Sequence, residues 1–151
     1  GRGINVWFTE PYWQHSLNLL GRSEHALEMN GEAMNENDFL ASDVRTLLRI
    51  AYHLRKLELA CYFRSVVKAQ KYVGLIEKDP RNSHDLCCPQ FVFVEFFSAL
   101  TYTDLVRQKH NVRRHRRKAK LSLRRMHETV KKGCIDSKPF LSVLLADLTD
   151  L

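Results

Sequence analysis

Between residues 39 and 73 the chain has neither glycine nor proline, and its apolar residues return at helical spacing. Val44, Leu47, Leu48, Ala51 and Leu54 follow the i, i+3, i+4, i+7 pattern of an amphipathic helix. Leu59, Tyr62, Phe63, Val66, Ala69 and Val73 follow it again on a slightly rotated face. The pattern predicts either one long helix or two that part near residues 57–59. Asn37 or Asp38 is placed to cap its start. Gly74, followed by Leu75, is placed to end it in a left-handed cap.

The flanks carry other patterns. Ile4-Asn5-Val6-Trp7-Phe8 and Glu10-Pro11-Tyr12-Trp13 predict an extended aromatic lead-in that packs on the body. A short helix over about 12–20 should follow and stop at Gly21. Ser23 is placed to cap a second short helix over 24–30, stopped by Gly31. Residues 31–38 are polar and turn-rich, as a loop would be. Residues 91–97, Phe-Val-Phe-Val-Glu-Phe-Phe, have the composition of a buried strand. Pro89 fits a first helical turn, however, and Ser98-Ala99-Leu100 continues a helix better than a strand. We therefore expect a helix that is apolar all round and so buried.

Beyond residue 105 an apolar position recurs every seven residues: Leu105, Val112, Ala119 and Met126. Leu123 and Val130 supply the second heptad position late in the segment, whereas Lys109 and Arg116 occupy it earlier. The prediction is a narrow apolar seam on one helix over 106–133, ended by Gly133. Lys131 and Lys132 fall in its last turn, where the helix dipole favours cations. Asp136 or Ser137 should cap a final apolar helix near Pro139, carrying Phe140, Leu141, Val143, Leu144, Leu145 and Leu148.

Charge changes the picture most. Residues 107–132 hold twelve lysines and arginines against one acid, Glu128, whereas the rest of the chain is net −4 within a total of +7. A mildly acidic body therefore carries a single basic segment. No apolar run approaches the roughly 18 residues of a spanning helix. The four cysteines, Cys61, Cys87, Cys88 and Cys134, include an adjacent pair ill suited to a disulfide framework. All four are expected to be reduced thiols of an intracellular protein, cytoplasmic or nuclear. Gly1-Arg2-Gly3 opens without methionine and the helical pattern persists to Leu151, so the parent chain is expected to extend further.

Few constellations carry chemistry. His84, Cys87, Cys88, His110 and His115 lack the paired tight spacing of a structural zinc site, and the two later histidines sit among cations that oppose metal binding. His53 and Cys61 are eight residues apart, about two helical turns, too far for a nucleophile and its base. The loop running into 91–97 resembles the passage into the second helix of an EF-hand. Counting back from Glu95 as the twelfth loop position puts His84, Leu86 and Cys88 where oxygen ligands belong, and Pro89 where glycine belongs. An EF-hand-like helix pair stays open as a fold, without calcium. No catalytic, cofactor-binding or metal-ligating residue is assigned, and no enzyme is expected.

The basic segment answers phosphate backbones, anionic lipid surfaces and acidic protein surfaces alike. It has no aromatics for stacking on single strands. Its seam of Val112, Ala119 and Leu123 is too thin for membrane insertion. It also satisfies the loose pattern of a nuclear-localisation signal.

The expected fold is all-α: a single helical domain over 1–151, an irregular bundle of four to six helices with one long, strongly basic helix. Its parts are an aromatic lead-in and short helices over 4–31, core helices over 39–105, the basic helix over 106–133 and a C-terminal apolar helix over 137–151. The expected function is a non-enzymatic interaction or scaffolding module within a larger protein or assembly. Arg113, Arg114, Arg116, Arg117, Lys118, Lys120, Arg124 and Arg125 would engage an acidic partner surface, while Leu105, Val112, Ala119, Leu123 and Met126 dock the helix onto a neighbour. The alternative is a nucleic-acid-binding module that contacts DNA or RNA phosphates through the same helix, without sequence specificity.

Overall fold

The computed structural model describes residues 4–42, 46–78 and 89–148. Among them the chain is all-helical, with seven α-helices, one short 3-10 turn and no strand. It divides into two compact units, residues 1–82 and 83–151.

The first unit contains α1 (Ile4–Leu19), α2 (Glu36–Ala41), α3 (Thr46–Tyr62) and α4 (Val66–Lys78). α3 and α4 form a hairpin, and α1 packs along α3. Met29, Met34, Phe39, Leu48, Tyr52 and Leu59 make a buried cluster, with Leu27 against it. Burial of this kind stabilises by about 1.5–3 kcal/mol per large apolar side chain.

Several expectations fail here, each for a local reason. The lead-in is not extended: α1 begins at Ile4 and carries Pro11 inside it. A proline removes one backbone hydrogen bond to the preceding turn. In α1, Gln14, Leu17 and Asn18 are buried just beyond it and tie the helix to the rest of the unit. No helix forms over 24–30. Ser23 instead donates to the carbonyls of His25 and Asn30, and two buried amides organise the loop. Asn18 Nδ2 donates to the carbonyls of Ala26 (3.0 Å) and Glu28 (2.6 Å). Gln14 accepts from the Ala33 amide (3.0 Å) and donates to Asn18 Oδ1 (2.8 Å). Gly31 lies so close to Gln14 that an added Cβ would stand 2.8 Å from its amide nitrogen and push the Gln14 side chain aside. The cap of α2 is Asn35 rather than Asn37 or Asp38; its side chain accepts from the backbone amides of both.

The stretch 39–73 yields parts of three helices rather than one or two. The break between α3 and α4 falls at residues 63–65, not 57–59. Arg64 adopts a left-handed φ of 54°, with Ser65 N donating to Ala60 O (2.8 Å) and Arg64 N to Cys61 O (3.1 Å). This paired 6→1 and 5→2 pattern is a Schellman cap. Gly74, expected to cap, lies inside α4.

The second unit contains α5 (Pro89–Arg107), α6 (Val112–Lys131), the 3-10 turn Ile135–Ser137 and α7 (Lys138–Leu148). Residues 91–97 are helical, as Pro89 and the continuation through Leu100 implied. α5 and α6 form a hairpin, and α7 packs against both. The core joins Val92, Ala99, Met126, Leu141 and Leu144, with Phe96, Leu123, Val130 and Phe140 packed around them. Phe140 meets the edges of Phe93 and Phe96, at 5.2 Å between ring centroids in each case. Leu105 belongs to α5, because a second Schellman cap ends that helix. Lys109 is left-handed (φ 60°), and His110 N donates to Leu105 O (2.9 Å). α6 ends as expected at Gly133 (φ 101°).

The loop 79–88, with His84, Cys87, Cys88 and the EF-hand-like passage, lies outside the described residues. No described helix is long and apolar enough to cross a membrane.

Candidate functional site

Both units pair some of their charged side chains internally, and the charges left over on one helix of the second unit locate the candidate site. In the first unit, two groups of charged side chains are buried and paired. Lys56 Nζ lies 2.7 Å from Glu36 Oε2 and donates to the Leu27 carbonyl, also at 2.7 Å. Its side chain is only 2 % exposed. Glu36 also accepts from the Met29 amide (2.9 Å). Burial disfavours the charged Glu36 carboxylate, but hydrogen bonds from Lys56, Tyr52 and the Met29 amide, with the Lys56 charge, outweigh it and lower its pKa. Burial lowers the pKa of Lys56 despite Glu36, and raises that of Tyr52 together with its hydrogen bond to Glu36. A second buried group joins Glu58 to Arg55 (2.7 Å) and to His15 (3.0 Å), with the Arg55 guanidinium 4.6 Å from the Tyr12 ring centroid. Each member stabilises the loop or the α1–α3 contact. These charges therefore act on structure.

The second unit pairs some of its charges as well. Arg107 meets Asp147 (2.7 Å) between the ends of α5 and α7. Two residues of the expected partner-binding set are also turned to internal use. Arg125 pairs with Glu95 (3.0 Å), whose side chain is buried on α5. Lys118 donates to the Tyr102 hydroxyl (3.0 Å) and lies 4.9 Å from that ring's centroid. Both hold α6 against α5.

The rest of the set lies outward. Arg113, Arg114, Arg116, Arg117, Lys120 and Arg124 are exposed, and none has an ion-pair partner among the described residues. At 3.6 residues per turn, Arg113, Arg116, Arg117, Lys120 and Arg124 fall on one arc of α6 about 100° wide. His127 and Lys131, also exposed, continue the same arc. From Arg113 to Lys131 the arc is about 27 Å long, at 1.5 Å per residue. No acidic or apolar residue lies within it; Leu121 and Glu128 border one edge. Arg114 lies off it, on the side of α6 that carries Lys118 and Arg125. Lys131 was not in the expected set; its signal in the sequence was its place eighteen positions after Arg113, five helical turns on.

The opposite face explains why the arc points outward. His115, Ala119, Ser122 and Met126 are buried, at spacings of four, three and four. The docking seam therefore joins Ala119 to His115, four before it, and to Ser122, three after it and four before Met126, rather than to the heptad positions Arg116 and Leu123. His115 takes its place by stacking on Tyr102, centroids 5.6 Å apart and planes 17° apart. A search for apolar residues alone passes over a histidine and a serine. Leu123 and Val130 lie at the margin of the seam, packed on the α5–α7 core.

Other candidate chemistry is not gathered among the described residues. His53 packs beside the rings of Tyr52 and Tyr72. Burial raises the pKa of Tyr72 to about 12. No group of three or more His, Cys, Asp or Glu that could hold a metal occurs among the described residues. A cleft of about 240 Å³ beside Glu10, Glu32 and Asp38 is lined by neither His53, Cys61 nor Glu58.

No protein family, curated protein or solved structure matches this chain.

Proposed function

We propose that this chain is a non-enzymatic interaction module whose strongly basic helix α6 docks on an anionic macromolecular partner through Arg113, Arg116, Arg117, Lys120, Arg124 and Lys131. A single observation carries the reading. These six exposed cations share one arc and have no ion-pair partner among the described residues, while Lys118 and Arg125 on the neighbouring face are used internally. Five like-charged pairs stand three or four residues apart on the arc: 113 with 116 and 117, 120 with 116 and 117, and 120 with 124. At a few tenths of a kcal/mol each, they destabilise the isolated helix by roughly 1–2 kcal/mol at low salt. An anionic partner would remove that penalty. The expected acidic protein surface and the phosphates of nucleic acid both meet the requirement.

The test is retention on an immobilised polyanion column, comparing the full chain with a variant carrying glutamine at all six positions. The reading expects the parent chain to elute at substantially higher salt. Equal elution of two folded proteins would remove α6 as the docking element.

A further inference from the structure

We infer that the partner of the α6 arc is the phosphate backbone of double-stranded nucleic acid, an inference that rests on the docking reading above.

The composition of the arc separates the candidates. Protein interfaces place apolar and aromatic anchors at their centre; arginine joins such anchors there, whereas lysine and the acids are depleted. This arc has neither anchor type along its whole length, and the nearest exposed apolar residue on α6, Leu121, stands at its border. An anionic membrane surface is met by helices with bulky apolar residues opposite or beside the charge. The face of α6 opposite the arc is committed to α5 and α7, with Ala119 and Met126 fully buried. A single strand is held by aromatic platforms on which bases stack. The arc offers one imidazole, His127, and no Phe, Tyr or Trp; the ring stacked against α6, Tyr102, is buried beneath it.

Phosphates of a duplex need none of these. They form a stiff array with one charge per roughly 1.7 Å of axis, so about 27 Å of duplex carries on the order of sixteen of them around its circumference, more than the six cations need. A rigid row of cations meets such an array without ordering a flexible partner. Arginine dominates the arc, and its planar guanidinium binds phosphate oxygens in pairs. The helix is also held at a fixed orientation by Lys118 and Arg125, so the row is presented ready-formed. No Asn or Gln lies in the arc to read adenine.

The experiment is fluorescence anisotropy with the full chain against four labelled probes: a duplex DNA, a duplex RNA, a single strand of the same length and polyglutamate. The inference expects at least one duplex to bind about tenfold or more tighter than both the single strand and polyglutamate. The two duplex arms tell DNA from RNA. For six phosphate contacts, log affinity against log salt should slope at about −5 on duplex DNA, roughly a thousandfold loss from 50 to 200 mM salt. The six-glutamine variant, shown folded by circular dichroism, should lose that binding. Equal or tighter binding of the single strand or polyglutamate overturns the duplex inference and leaves the docking reading standing. If no probe binds at low salt, both fall. A salt slope shallower than about −2 on the preferred duplex also overturns the inference, because too few phosphates would then be engaged.

Discussion

Lys56 and Lys120 are the same residue type on two amphipathic helices, and they have opposite roles. Lys56 is almost fully enclosed and reaches a carboxylate and a carbonyl, both at 2.7 Å. Lys120 stands in solvent among arginines. The first unit uses this lysine as internal fastening, satisfying a loop that has no secondary structure of its own. The second unit places its surplus charge where nothing within the described unit answers it. The difference teaches that net charge alone says little. What matters is whether a charged group has a partner: a buried charge without one costs several kcal/mol, whereas exposed ones cost only their mutual repulsion.

Breaking the internal fastening should have the largest effect. Lys56→Met keeps the volume but leaves Glu36 part-buried without its cation. We expect a loss of about 3 kcal/mol or more, read from urea unfolding. A loss under 1 kcal/mol would place this pair with ordinary surface ion pairs and erase half of the contrast. Acid provides a second route to the same group. The folded-state pKa of Glu36 is lowered from 4.5. Its contribution is therefore present above the unfolded value and lost as pH falls through the folded one. The parent chain should lose more stability over that acidic range than Glu36→Gln does, and parallel pH profiles would contradict the assignment.

Removing the arc should act in the other direction. Glutamine at its six positions is expected to raise stability by roughly 1–2 kcal/mol at low salt, with the gain shrinking as salt screens the repulsion. A large loss would mean that the cations hold the fold. Smallest is the backbone effect at the helix break. Arg64→Gly relieves a left-handed side-chain residue and should stabilise by about 1 kcal/mol, measured by the same unfolding curve. A clear loss there would mean that the Arg64 side chain outweighs the relief.

The periodicities made the helical class legible, and Pro89 resolved the ambiguous run at 91–97. Gly21 and Gly133 announced two helix ends. The ends at Arg64 and Lys109 could not be read, because they form the same cap with side chains that normally avoid it; the energy of about 1 kcal/mol is met by packing on either side. That is why 39–73 looked continuous and why Leu105 seemed to share a helix with Ala119. The Gln14 and Asn18 scaffold was invisible for a related reason. Polar residues inside an apolar pattern look like solvent-facing ones until the backbone groups they satisfy are in place. Of the eight expected partner-binding residues, five could be placed on one arc by spacing alone. The inward turn of Lys118 and Arg125 required Tyr102 and Glu95, sixteen and thirty positions away. The burial of His115 likewise depended on a ring from another helix.

The account turns on whether the arc serves a partner rather than the fold, and urea unfolding with and without a short duplex tests both sides at once. Without duplex, the six-glutamine variant should unfold at the same or higher denaturant than the parent. With duplex at about 100 times its dissociation constant, the parent's second unit should gain roughly 2.7 kcal/mol, and the variant nothing. A variant that unfolds earlier without duplex, or gains as much from it as the parent, would contradict the account.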